Sequence, residues 1–288
     1  MGKYIEIAET ELIEMYLSND YKVDEICKYF NVSKFKIRSI LIKNNIVSKS
    51  SKKYSYNENI FENIDNEEKA YWLGFLYADG YVRSDKRCNE LKLKLGVKDK
   101  EHLLKFKIFI SDDEIPVVYE EYKNSKCYKV SINSKKIVND LIKLGCINKK
   151  SLIIKFPIIK DELKNHFIRG YFDGDGSISY SKKMVLLNII SGSNIFLSEI
   201  SKVFESIGTK NSNLVGVSNI YKYIQFSKME DLYKIYQFLY KDSSIFKACT
   251  RNINISRIII NQRISSYCEG SFLPLSSHIT IFPVKISI

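Results

Sequence analysis

Histidine and closely spaced cysteine are scarce in this sequence, and that scarcity removes several kinds of chemistry. Six cysteines (Cys27, Cys88, Cys127, Cys146, Cys249 and Cys268) are scattered with no close pair, and only three histidines (His102, His166 and His278) stand far apart among them. A structural zinc site wants clustered ligands, so none is expected, and the thiols read as reduced groups of an intracellular protein, in cytoplasm or an organelle matrix. No apolar run approaches the ~18 residues of a spanning helix. The opening Met-Gly-Lys-Tyr-Ile-Glu has neither a signal peptide nor the serine or threonine of a myristoylation site. Acid is also in short supply: 33 Asp and Glu face 45 Lys and Arg, a net charge of +12. A surplus of that size points to a polyanion. With no sign of membrane attachment, nucleic acid is the expected partner.

What the sequence does have is a repeat. Ala70-Tyr71-Trp72-Leu73-Gly74-Phe75-Leu76-Tyr77-Ala78-Asp79-Gly80 is echoed by Phe167-Ile168-Arg169-Gly170-Tyr171-Phe172-Asp173-Gly174-Asp175-Gly176. Both are apolar helical runs with small residues four apart, and both end in Asp-Gly. Ala70, Gly74 and Ala78 share one helical face, and Gly170 and Gly174 share the matching face of the second run. Small residues at that spacing let two helix backbones approach closely. Gly80 and Gly176 are expected to end their helices in the left-handed conformation. The predicted result is two helices packed face to face, delivering Asp79 and Asp175 side by side. Two adjacent carboxylates repel, and each lies at the partly negative end of its helix. A divalent cation relieves both problems, and oxygen-only ligation suits Mg²⁺.

Trp72 to Gly80 and Ile168 to Gly176 resemble the motifs of the LAGLIDADG homing endonucleases, in the single-chain form that carries two. The two aspartates stand 96 positions apart. The resemblance implies that Asp79 and Asp175 bind metal, with the carbonyls of Ala78 and Gly174 helping, and that Mn²⁺ can replace Mg²⁺. It further implies a monomer with internal pseudo-two-fold symmetry that cuts both strands of double-stranded DNA across the minor groove, leaving short 3′ overhangs. A basic residue usually completes each active site in the family. By position these are Lys150, 71 residues after Asp79, and Arg251, 76 after Asp175. Neither sits in a distinctive motif, and each reads equally as a phosphate contact or a solvated side chain.

The expected fold is α+β: two pseudo-symmetric αββαββα repeats forming a DNA-binding saddle, preceded by a small helical unit. Residues 1–48 form that unit, which resembles a helix-turn-helix. Ser33 caps its second helix, Asn31 occupies the tight turn, and Lys34, Lys36, Arg38 and Lys43 are its basic residues. A helical hairpin with a solvated basic face has the same pattern. Residues 49–66 are a basic linker, 67–157 the first repeat, 158–267 the second, and 268–288 a tail with no legible role. In the first repeat Leu91 to Val97 alternates strictly, so Lys92 and Lys94 point away from the apolar face. Lys129, Ser131 and Asn133 share a face of the next hairpin, and Tyr221, Tyr223 and Gln225 share one in the second repeat. Such faces suit a DNA groove.

The expected function is therefore a site-specific double-strand DNA endonuclease of the intron-homing kind. An RNA-splicing maturase that binds its host intron RNA, or a DNA-binding regulator that has lost cutting, could be built on the same scaffold. Retention of both aspartates favours cutting, and regulators of this kind typically place the helix-turn-helix after the repeats. An intein is not expected, because the sequence opens with Met1 and ends without a His-Asn junction. Position −2 from each key aspartate differs, Tyr77 in one copy and Asp173 in the other. Asp173 can pair with Arg169 one turn earlier, although Arg preceding the acid is the weaker order, and it is not expected to bind metal.

Overall fold

The computed structural model describes residues 8–18, 20–46, 54–85, 88–123, 125–148, 152–181, 184–210, 213–216 and 221–241. The chain divides into two compact units, Met1–Tyr54 and Ser55–Ile288.

In the first unit, α1 (Glu9–Ser18), α2 (Val23–Tyr29) and α3 (Lys34–Lys43) enclose a core of Leu12, Tyr16, Ile26, Ile37, Ile40 and Leu41. The Ser33 hydroxyl accepts from the Lys36 backbone N–H at 3.3 Å, capping α3. The turn before it closes α2 through Asn31 at φ 49°. The Val32 N–H reaches back to the Cys27 carbonyl at 2.9 Å and the Asn31 N–H to Lys28 at 3.3 Å. Asn45 (φ 55°) closes α3 in the same way, with the Ile46 N–H on the Leu41 carbonyl at 2.8 Å.

The second unit starts before the first motif. Within the stretch expected to be a linker, Ile60 and Phe61 are buried. The Asn57 N–H donates to the Ile110 carbonyl at 3.0 Å, and Phe61 packs edge-on against Phe109. The lysines of that stretch, Lys49, Lys52 and Lys53, lie outside the described residues.

Two repeats follow. The first is α4 (Glu67–Asp79), β1 (Gly80–Ser84), β2 (Asn89–Gly96), α5 (Lys100–Ile110), β3 (Val118–Tyr122), β4 (Ser125–Asn133) and α6 (Lys135–Lys143). The second is α7 (Lys164–Asp175), β5 (Gly176–Ser181), β6 (Met184–Ser191), α8 (Asn194–Ser206), β7 (Asn213–Gly216), β8 (Lys222–Phe226) and α9 (Met229–Tyr240). Each builds a four-stranded antiparallel sheet, in the orders β1-β2-β4-β3 and β5-β6-β8-β7. The period-two pattern fixes which face is covered. Leu91, Leu93 and Leu95 are buried, as are Val130 and Ile132 beside them on β4. Asn66, Ser134 and Ser193 cap α4, α6 and α8 through their side chains.

One expectation fails. Gly80 and Gly176 are not left-handed: their φ,ψ values are −73°, 139° and −91°, 159°, and each is the first residue of a strand. Glycine is needed there for space. A Cβ on Gly80 would lie 2.5 Å from the Leu76 carbonyl oxygen, and one on Gly176 would overlap that of Phe172. Each motif helix thus runs directly into β1 or β5. The left-handed glycine caps are Gly145 (φ 92°) after α6 and Gly208 (φ 83°) after α8.

Candidate active site

The two motif helices meet backbone to backbone. A Cβ on Gly74 would lie 2.9 Å from the Tyr171 nitrogen and overlap the Phe167 carbonyl oxygen. A Cβ on Gly170 would lie 2.9 Å from the Phe75 nitrogen and overlap the Tyr71 carbonyl oxygen. The reciprocity is that of a local two-fold axis between α4 and α7. Ala70, at the start of the α4 stripe, is fully buried. One turn on, a Cβ on Gly174 would overlap the Ala78 methyl and come within 3.4 Å of Asp79 Oδ2. The seam therefore holds the last turn of α7 against the carboxylate that ends α4. Asp79 is exposed and Asp175 half-buried, so the pair opens toward solvent.

The carboxylates are inequivalent. The Tyr171 hydroxyl donates to the Ile190 carbonyl at 2.9 Å. Burial first, then the charge of Asp175 and more weakly that of Asp79, pushes its pKa well above the phenol range. Both carboxylates thus act on one hydroxyl. The position four before Asp79 is Phe75, which offers no such group.

The −2 positions do one job with different chemistry. The Tyr77 hydroxyl donates to the Leu144 carbonyl at the end of α6, and burial raises its pKa well beyond the ordinary range. Asp173 accepts from the Tyr240 hydroxyl at 2.9 Å, at the end of α9, and from the Tyr71 hydroxyl at 2.8 Å. Each fastens the last helix of its own repeat. Asp173 is buried. Arg169, also fully buried, adds a bond from Nη1 to the Leu239 carbonyl at 3.2 Å and sits 5.4 Å from the centre of the Tyr71 ring. Since Tyr71 gives its proton to Asp173, its oxygen accepts from His102 Nε2 at 3.1 Å. Burial pushes His102 down to about 3, so its ring is neutral.

The sheet faces differ between repeats. On the first, Lys92 stands opposite Ser131 and Lys94 opposite Lys129, with Asn133 opposite Glu90. The cations there are interleaved with acid: Lys92 lies 3.3 Å from Glu90 and Lys94 3.3 Å from Glu120, which also pairs with Lys129. The sequence signal for Glu120 is its carboxylate in the alternation Val118, Glu120, Tyr122. On the second sheet Ser177, Asn188 and Gln225 stand in one cross-strand row, with Gln225 Nε2 donating to Asn188 Oδ1 at 2.7 Å. Tyr223 is half-buried and Tyr221 exposed. The sole charged residue of β5 to β8, Lys222, is in register with the buried Ser191.

In the first unit, Lys34 pairs with Asp24 at 2.6 Å and Lys43 with Glu9 at 3.1 Å, while Lys36 and Arg38 are exposed and have no ion pair among the described residues. Lys150 and Arg251 lie outside the described residues, as does the stretch 268–288. Among the described residues no group of three or more His, Cys, Asp or Glu is arranged to hold a metal ion. Their four cysteines, Cys27, Cys88, Cys127 and Cys146, are free thiols. No described helix is long and apolar enough to cross a membrane.

Residues 162–238 match the LAGLIDADG-like domain, a span that runs from just before α7 into α9. The fold is of the LAGLIDADG type, α+β with two repeats, each carrying its own antiparallel sheet. The replication factor C small subunit of Methanocaldococcus jannaschii is 31% identical over 131 residues, 44% of this chain and 7% of that protein. A DNA polymerase of Acanthamoeba polyphaga mimivirus is 31% identical over 134 residues, 44% of this chain and 8% of that protein. The chain thus spans less than a tenth of either relative's length. Among solved structures, the meganuclease I-SmaMI bound to uncleaveable DNA aligns with a TM-score of 0.46 at 14% identity, over 67% of this chain and 91% of that one. The I-LtrWI LAGLIDADG homing endonuclease bound to target DNA aligns with a TM-score of 0.46 at 12% identity, over 69% of this chain and 92% of that one.

Proposed function

We propose that the chain is a site-specific double-strand DNA endonuclease, hydrolysing one phosphodiester bond per strand at a long asymmetric site with a divalent cation. The observation that carries the reading is that the last turn of α7, which ends in Asp175, lies against Asp79 Oδ2 across a seam with no room for a side chain at Gly74 or Gly170. Stability alone gives no reason to bring two carboxylates together at the negative ends of two helices. Supporting it is the match of residues 162–238 to the LAGLIDADG-like domain.

The donor set is oxygen-only and fits Mg²⁺, which proteins commonly hold through one or two carboxylates plus substrate phosphates rather than a full cage. Asp79 and Asp175 would hold it, with the carbonyls of Ala78 and Gly174. When bound, the ion supplies Lewis acidity to the scissile phosphate and lowers the pKa of a water. The seam fixes the two carboxylates against each other, and Tyr171 biases Asp175. Lys150 and Arg251 are the basic residues assigned to complete the two active centres. The outer sheet faces bind the duplex, the first through charged side chains and the second through neutral polar ones, which makes the target asymmetric. Residues 1–48 read a flanking segment, and the protein acts as a monomer.

The test is incubation of purified protein and Mg²⁺ with the duplex formed by deleting this reading frame from its surrounding DNA. Cutting on both strands is expected. An intact duplex that is nonetheless bound would overturn the nuclease reading and leave a regulator; selective binding of intron RNA would point to a maturase.

A further inference from the structure

The outermost line of α3 is not its basic one. Residues advance by about 100° around a helix. Ile37, Ile40 and Leu41 face the core of the first unit, so the opposite line carries Phe35, Ser39 and Ile42. Phe35 is 81% exposed and Ile42 62%. Lys34 and Arg38 flank this ridge on one side, Lys36 and Lys43 on the other. A merely solvated helix has no reason to put an aromatic ring and an isoleucine at its most exposed line. Cations along both edges of such a ridge equally argue against an ordinary apolar contact with protein.

That pattern complements a major groove. A helix lying there meets base edges along its midline, with its N-terminal residues foremost, and phosphates of both strands along its two edges. The one apolar feature on those base edges is the C5-methyl of thymine. We propose that α3 enters the major groove of duplex DNA with Phe35 and Ile42 against thymine methyl groups, so that the flanking segment it reads is thymine-bearing. Phe35, the second residue of α3, stands where the N-terminal contacts fall. Lys36 and Arg38 take phosphates directly. Lys34 and Lys43 exchange their exposed pairing with Asp24 and Glu9 for phosphate, at little cost because such pairs are weak in water. The inference rests on the reading that this protein binds DNA, and adds which bases its first unit recognises and by what contact.

The test uses the full-length protein in EDTA, which prevents cutting, with the duplex described above. Each protected thymine is replaced in turn by deoxyuridine, which removes only the methyl. Wild-type protein should lose about fourfold in affinity at one or two positions, the size expected for one buried methyl group. Phe35→Ala should bind more weakly on the thymine duplex and be indifferent to deoxyuridine at one of those positions, with an unchanged melting temperature because the ring is exposed. A Lys36→Glu, Arg38→Glu double variant should lose protection over the same segment. If that variant shortens the footprint but no deoxyuridine matters to wild type, α3 touches DNA and the methyl contact is wrong. If the footprint is unchanged, α3 does not touch DNA, the inference fails, and the nuclease reading stands. Self-association that Phe35→Ala abolishes would make the ridge a protein interface and overturn the inference. Absence of any duplex binding would end this inference and the nuclease reading together.

Discussion

Gly74 lies against Phe167 so closely that a Cβ there would overlap the Phe167 carbonyl oxygen, and Gly170 stands in the same relation to Tyr71. Backbone cannot swing aside as a flexible side chain can. Gly74→Ala or Gly170→Ala must push α4 and α7 apart, costing about 1–3 kcal/mol of overpacking, or roughly 2–12 °C in melting temperature for a unit of this size. Because the carboxylates stand one turn further on, cutting should fall by more than the unfolded fraction explains. Thermal melts and single-turnover cutting on the same samples check this. A loss of activity matching the loss of folded protein would mean the seam is structural only.

The repeat plan was legible because it rests on local signals. Strict alternation at Leu91 to Val97 and small residues four apart in both motifs suffice for αββαββα and a helix seam. Gly80 and Gly176 depart from the left-handed expectation for a physical reason: glycine serves both positive φ and close approach, and sequence alone does not separate the two. The same limit hid the shared role of Tyr77 and Asp173. It emerges only once α6 and α9 are seen ending beside them. Glu120 is legible as an acid in the alternation of its strand, but strand pairing decides which lysines it meets.

Tyr171 and Phe75 occupy equivalent positions, yet only the tyrosine brings a hydroxyl to the carboxylates. Tyr171→Phe removes a hydroxyl that is bound to the Ile190 carbonyl and feels the charge of Asp175 more strongly than that of Asp79, an effect of about threefold to tenfold in rate. On supercoiled DNA the variant should slow one strand's cut relative to the other and so accumulate nicked circles. Equal slowing of both strands would contradict the inequivalence of the two carboxylates.

Glu120 pairs with both Lys94 and Lys129, and its carboxyl pKa is lowered chiefly by the bond from Lys129. Glu120→Gln should release these cations to phosphate. Binding should tighten at low salt, and the slope of log affinity against log salt should steepen by about 0.9 per phosphate gained. An unchanged slope would mean this sheet face does not meet the DNA backbone.

His102 is held neutral by burial, its pKa pushed down to about 3. Below the ordinary histidine value near 6.5 the unfolded chain takes up a proton that the folded chain refuses. Stability should therefore fall as pH drops from about 6.5 toward 3, by at most about 1.4 kcal/mol per pH unit from this residue. His102→Gln retains a donor for Tyr71 and removes that titration. Its melting temperature, measured against wild type, should gain ground as pH falls through this range; a constant difference would mean His102 titrates normally.

The central claim is that Asp79 and Asp175 cut DNA together. The most direct measurement compares Asp79→Asn and Asp175→Asn with wild type, for binding and for cutting of the same duplex in Mg²⁺. Removing one of two carboxylates facing a polyanion should leave binding intact or tighter, while double-strand cutting disappears. Cutting that persists in both variants would contradict the account.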